Sequence, residues 1–170
     1  METYCGQIRT CADAILIFQA CEDGILPRLR KRLSERDRQH IRPGSVFVWD
    51  EDEAGMRRWT DGKRWSSSRV HGRFLAYREM EREARQRIIP QDEYSTCRFK
   101  VNGLIKQSFS ITATTGQRLH LISYHSQNLA GGLQIPSSDP TLQSVCPQKC
   151  FFPKSLVNDL QNFPVFAREH

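Results

Sequence analysis

The stretch LIKQSFSIT-ATTGQ-RLHLISYHS, residues 104–126, decides the fold class. Its first nine residues alternate, with Ile105, Phe109 and Ile111 on one face and Lys106, Ser108 and Ser110 on the other. That period of two belongs to a half-buried strand. Thr114-Thr115-Gly116 supplies a turn into a second strand, so the segment reads as an antiparallel hairpin. Upstream, SVFVWDED (45–52) is a further strand, rich in β-branched and aromatic residues and introduced by Arg42-Pro43-Gly44. Glu53-Ala54-Gly55 reads as a hairpin turn into Met56–Thr60, Asp61-Gly62 as another turn, and RFLAYR (73–78) as a strand. Helices flank these elements. Thr10 caps one that runs to Glu22, with Asp13 completing a capping box and Gly24 ending it; Cys11, Ala14, Ile15, Phe18 and Cys21 form its core face. Ser34 caps a shorter one, with Asp37 three residues on. The class is α+β, an antiparallel sheet with short helices.

Between the strands lies RRWTDGKRWSSSRVHGR, residues 57–73. Six cations (Arg57, Arg58, Lys63, Arg64, Arg69, Arg73) surround Trp59 and Trp65 there. Like charges so close repel one another, and a polyanion relieves the repulsion; nucleic acid gains further from counterion release. Hydroxyls at Thr60, Ser66, Ser67 and Ser68 suit phosphate contacts, and arginines suit a narrow A·T-rich minor groove. Composition alone leaves a solvated, salt-bridged surface hairpin equally open. The charge is concentrated, however. Residues 28–87 hold 17 of the chain's 25 basic residues, 15 of them arginine, against 10 of its 19 acidic residues. Arginine's fork favours bidentate recognition of phosphates and base edges.

Other function classes find little support. The chain has no run of eighteen apolar residues to span a membrane. METYCGQIRT at the N-terminus lacks the apolar core of a signal peptide, so the expected compartment is reducing and the six cysteines are expected as free thiols. Cys146 and Cys150 have no second ligand pair, which argues against zinc. Asp50-Glu51-Asp52-Glu53 reads as a solvated acidic turn, or as a counterweight to the arginines, rather than a metal site. His40, His71, His120 and His125 lack a partnered nucleophile at a recognisable spacing, and no phosphate-binding glycine loop occurs. Neither a cofactor nor a small-molecule substrate is expected, and the chain reads as non-enzymatic.

Gly6, Ile8-Arg9-Thr10, Asp13-Ala14, Leu26-Pro27-Arg28 and Gly44–Val48 lead into Arg58-Trp59-Thr60-Asp61-Gly62, Trp65-Ser66, Ser68-Arg69 and Tyr77-Arg78-Glu79. With Leu104-Ile105-Lys106, His120–Tyr124 and Pro136-Ser137-Ser138, these residues resemble the WOPR family of fungal transcriptional regulators, named for white–opaque switching and morphogenesis. The resemblance implies one globular domain, 1–140, made of two interlaced blocks, 4–79 and 97–140. A charged linker, 80–96, separates them, and 141–170 is a C-terminal extension. It further implies a nuclear regulator that reads an A·T-rich double-stranded site through the basic loop. Carried over by position, the DNA-contacting residues are Arg57, Arg58, Thr60, Lys63, Arg64, Ser66, Ser68 and Arg69, with Trp59 and Trp65 bracing the loop from beneath. The family usually has proline where this chain has Ser67, a residue that would fix the loop's backbone. Lys63 and Arg64 add charge where many relatives are neutral.

Arg57-Arg58-Trp59-Thr60 also fits the Arg-Arg-x-Thr pattern of a basophilic protein kinase, which makes Thr60 a candidate phosphorylation site. Glu79–Arg87, alternating in charge, reads as a linker or exposed helix. Two rival functions remain at this stage. One is a binder of RNA or single strands that stacks bases on Trp59, Trp65 and Phe74. The other is a degenerate relative working through protein partners.

Overall fold

Two strands from the second block, β5 (Leu104–Thr112) and β6 (Arg118–Ser126), form the hairpin at the centre of the sheet. The computed structural model describes residues 1–82, 98–128 and 132–160. Among them β6 pairs with β2 (Ser45–Asp50), which pairs with the short edge strand β1 (Tyr4–Cys5). On the other side β5 pairs with β4 (Phe74–Arg78), which pairs with β3 (Arg69–His71). The six described strands run β1-β2-β6-β5-β4-β3, antiparallel throughout. The second block is thus inserted between strands of the first, and the blocks are one folding unit.

The two sheet faces carry different cores. On one face Val46, Val48, Phe74, Phe109, Leu119 and Leu121 pack with helix α1 (Cys11–Glu22). Thr10 caps α1 in a full capping box with Asp13, as its sequence predicts. The expected one-sided apolar stripe is corrected: every residue from Ala12 to Cys21 is buried. The cause is the chain beyond residue 132, which lies over the helix. Ser137 N donates to Asp13, and Gln148 N donates to the Gln19 side chain. Residues beyond 140, which the sequence sets apart as an extension, place Leu142, Val145, Phe152 and Leu156 in the same core. Little periodicity marks them, because they sit in two 3₁₀ turns (136–138 and 140–142), irregular chain and the short helix α4 (Lys154–Leu160). Val145→Ala, deleting two fully buried methyl groups, is expected to cost about 2 kcal/mol. Chemical denaturation reads this directly; an unchanged midpoint would mean that the segment does not hold the core.

The other face carries Phe47, Trp49, Ile122 and Tyr124, with Leu29, Leu33, Ile41 and Met56 packed against them. Helix α2 (Glu35–Gln39) forms from Ser34 with the expected Ser34–Asp37 capping box. The predicted strand through Asp52 and hairpin at 53–55 are not found. The Asp50 carboxylate accepts from Asp52 N and Glu53 N, so β2 stops there and one helical turn, α3 (Glu51–Ala54), follows. Gly55 closes it in the left-handed conformation (φ 62°). Glu79 is corrected likewise. It lies in extended chain, buried, where its carboxylate accepts from Leu104 N and pairs with Lys100. Residues 83–96 of the expected 80–96 linker, and with them most of the Glu79–Arg87 run, fall outside the described residues.

Candidate nucleic-acid interface

Residues 57–68 form no hairpin; they cross the second face of the sheet as an irregular loop held by side chains. Asp61 is its centre. Its carboxylate accepts from Trp65 Nε1 (3.0 and 3.1 Å), from Tyr124 OH (2.6 Å) and from Lys63 N (3.0 Å). Lys106 Nζ stands 3.8 Å away. Trp59 Nε1 donates to Tyr124 OH at 2.6 Å, so the buried phenol links Trp59 to the carboxylate that holds Trp65. Trp59 also stacks on Trp49 (5.1 Å between centroids), whose own indole donates to Met56 O. Lys106 lies over the rings of Trp65 (4.5 Å) and Tyr77 (4.8 Å).

This arrangement overturns the sequence expectation for β5's polar face. Lys106 is buried beneath the loop, where a cation is tolerated because Asp61 and two aromatic faces surround it. Burial still holds its ammonium below the usual lysine range, with Asp61 opposing that shift. The Tyr124 phenol is pushed up, first by burial and then by the neighbouring Asp61 charge. Both groups come from the second block and grip a loop from the first.

The candidate contact residues divide by position. Arg57, Arg58 and Ser66 line an open groove of ≈370 Å³, with Trp59 and Trp65, above Ser108, Ser110 and His120. Lys63 and Arg64 line a second cleft on the other side, with Arg82 and Lys100. Thr60, Ser68 and Arg69 are exposed, Arg69 at the start of β3. Arg57, Arg58, Lys63 and Arg69 have no carboxylate partner among the described residues. Ser66 is different. Its hydroxyl accepts from Arg78 N and donates to Ser67 O, and its N–H donates to Arg78 O, so it fastens the loop to β4. Arg73, one of the six cations of 57–73, pairs with Asp159 of α4.

Acidic residues 50–53 are no bare solvated turn. Glu53 pairs with Arg28 and Arg30, and Glu51 with Arg118 and His120. Phe74, a proposed stacking platform for single strands, is buried among Phe109 and the α1 core.

The loop thus rests on a lattice of aromatic side chains around one buried carboxylate, and it presents Arg57 and Arg58 without a carboxylate partner among the described residues. The model that matches residues 3–96 is that of the Gti1/Pac2 family. This chain is also 42% identical over 186 residues to the cAMP-independent regulatory protein pac2 of Schizosaccharomyces pombe, over 85% of this chain and 79% of that protein. The chain belongs to the Gti1/Pac2 family. The WOPR resemblance read from the sequence is this same family.

A further Gti1/Pac2 relative is the global transcription regulator sge1 of Gibberella fujikuroi, 33% identical over 198 residues. The match covers 86% of this chain but 59% of sge1, so the chain spans less than two thirds of that protein's length. Among solved structures, the WOPR domain of Wor1 from Candida albicans, in complex with a 13 bp double-stranded DNA, superposes with a TM-score of 0.72 at 33% identity. That match covers 95% of this chain and 97% of the other. The antiparallel sheet with short helices is therefore the family's fold. Within it, sequence reasoning missed the roles of Asp61, Lys106, Tyr124 and Trp49. Asp61 looked like a turn residue, and Lys106 like the solvent side of a strand; no local pattern marks two groups that meet across 45 residues of chain.

Proposed function

We propose that this chain binds double-stranded DNA sequence-specifically and regulates transcription in the nucleus, without catalysing a reaction. The observation that carries this reading is the loop's construction: Arg57 and Arg58, exposed and without a carboxylate partner among the described residues, stand on a backbone fixed from beneath by Asp61 and Tyr124, with Arg69 beside them at the start of β3. A solvated surface hairpin needs no such anchorage, whereas placing guanidinium groups on a groove does. The DNA-bound Wor1 domain and the transcription regulators among the relatives point the same way. In this reading Arg57, Arg58, Thr60, Lys63, Arg64, Ser68 and Arg69 face DNA. Arg58 and Arg69 enter an A·T-rich minor groove, Lys63 and Arg64 hold phosphates, and Ser66 shapes the loop that presents them. The single-strand alternative is weakened, since Phe74 is buried and both loop tryptophans are half-buried with their indole N–H groups bonded inward. Competition between duplex and single strands of one sequence tests it; preference for the single strand would overturn the duplex reading.

Thr60 is exposed beside Arg57 and Arg58, accessible to a basophilic kinase. A phosphate there adds about −1.5 to −2 charges against the DNA backbone. Thr60→Glu is therefore expected to weaken duplex binding several-fold while leaving the melting temperature unchanged. Normal affinity from a folded Thr60→Glu protein would remove the phosphorylation switch.

A further inference from the structure

We infer that the DNA-contacting surface extends beyond the basic loop to Arg32 and Arg38, on the segment that leads into β2. This inference rests on the DNA-binding reading above and adds two phosphate contacts to it.

The cations of this half of the molecule sort into two groups. Arg28 pairs with Glu22 and Glu53, Arg30 with Glu53, Arg42 with Glu2, and Arg118 with Glu51. These charges are internally neutralised. Lys31, Arg32, Arg36 and Arg38 have no carboxylate partner among the described residues, although Glu35, Asp37, Glu51 and Asp52 lie on neighbouring elements. Of these, Glu51 is committed to Arg118 and His120, and Asp37 to the Ser34 cap.

Position then selects Arg32 and Arg38 from these four. Arg32 shares one cleft with Arg57 and Arg58, of ≈490 Å³, whose other wall is Glu51, Asp52 and Gly55. Arg38 lies at the opposite border of the loop. Gly62 turns there with φ +74°, and a Cβ on it would stand 3.9 Å from Arg38 Cδ. Arg38 Nε is buried without a hydrogen-bond partner, so no internal bond locks the guanidinium against turning toward a ligand oxygen. The scaffold beneath is firm. Leu29 N donates to Val48 O, and Leu29, Leu33 and Ile41 are buried in the second core, pinning the segment on both sides of α2. Arg32 and Arg38 thus bracket the reading loop, one beside Arg57 and Arg58, the other beside the Asp61-Gly62 turn. A duplex laid on the loop presents phosphates to both borders at once.

Each B-DNA phosphate contact contributes about −0.9 to the slope of log K against log salt, and roughly fivefold in affinity at 0.15 M salt. The double variant Arg32→Ala/Arg38→Ala is compared with wild type and with Arg30→Ala, whose guanidinium is already paired. The measurement is fluorescence anisotropy against one A·T-rich duplex from about 0.05 to 0.3 M salt, with melting temperatures alongside. Expected for the double variant is a slope shallower by about 1.8 and an unchanged sequence preference, with Arg30→Ala close to wild type. A folded double variant with the wild-type slope overturns the inference while leaving the loop's role intact. An equal loss in Arg30→Ala also overturns it, since the effect is then general charge. Wild-type protein that fails to bind duplex overturns the underlying reading, and this with it.

Discussion

Replacing Asp61 with alanine is expected to lower the melting temperature by roughly 6–12 °C and to abolish sequence-dependent DNA binding, although Asp61 itself faces inward. Its side chain is buried, and it accepts from Trp65, Tyr124 and Lys63 N while balancing Lys106. Removing it leaves the Lys106 ammonium enclosed without a carboxylate, the situation in which breaking a buried pair costs about 3–5 kcal/mol. The 3.8 Å separation is long for an ion pair, so the lower figure of about 3 kcal/mol applies. The indole of Trp65 loses its acceptor, and the loop from Arg57 to Arg64 loses the tie that sets its path. Asp61→Asn keeps an acceptor but no charge and falls between. Thermal melting and a duplex titration on the same preparations check both effects. An Asp61→Ala protein that melts and binds like wild type would show that the aromatic packing alone shapes the loop.

Arg58→Ala and Arg69→Ala are each expected to cost about 1–3 kcal/mol of binding on the preferred duplex, and much less on a G·C-rich one. Both guanidinium groups are exposed and unpaired among the described residues, so neither substitution should disturb the fold. Lys63→Ala should behave otherwise. Its loss weakens all duplexes alike and makes the salt slope shallower by about 1, the mark of a phosphate contact. Parallel titrations of the three variants on both duplexes separate the roles. If Lys63→Ala changed base preference and Arg58→Ala did not, the division between reading and holding would be reversed.

Four of the six described strands, β2, β4, β5 and β6, and both capped helices are legible in the sequence because their signals are local; the short edge strands β1 and β3 carry no such signal. Alternation in 104–112, the turn at Thr114–Gly116 and the boxes Thr10–Asp13 and Ser34–Asp37 each lie within one element. Failures occur where a local pattern competes with a distant partner. SVFVWDED continues as strand by composition, but the Asp50 carboxylate caps the next two N–H groups and starts a helical turn. Lys106 alternates outward, yet the loop that folds over it from 45 residues away makes that face interior. The chain beyond 140 has no period, so its share of the core could not be read from sequence. The loop's charge was legible and its rigidity was not, since Tyr124 and Lys106 reach it only through the fold.

The most direct test of a sequence-reading loop is fluorescence anisotropy of the purified chain against A·T-rich and G·C-rich duplexes over a salt series. At about 0.15 M salt the account predicts tighter binding to the preferred A·T-rich duplex by roughly 10³-fold or more. Binding that is steep in salt and equal on both duplexes would contradict it, leaving a basic surface without a reading loop and a relative that works through protein partners.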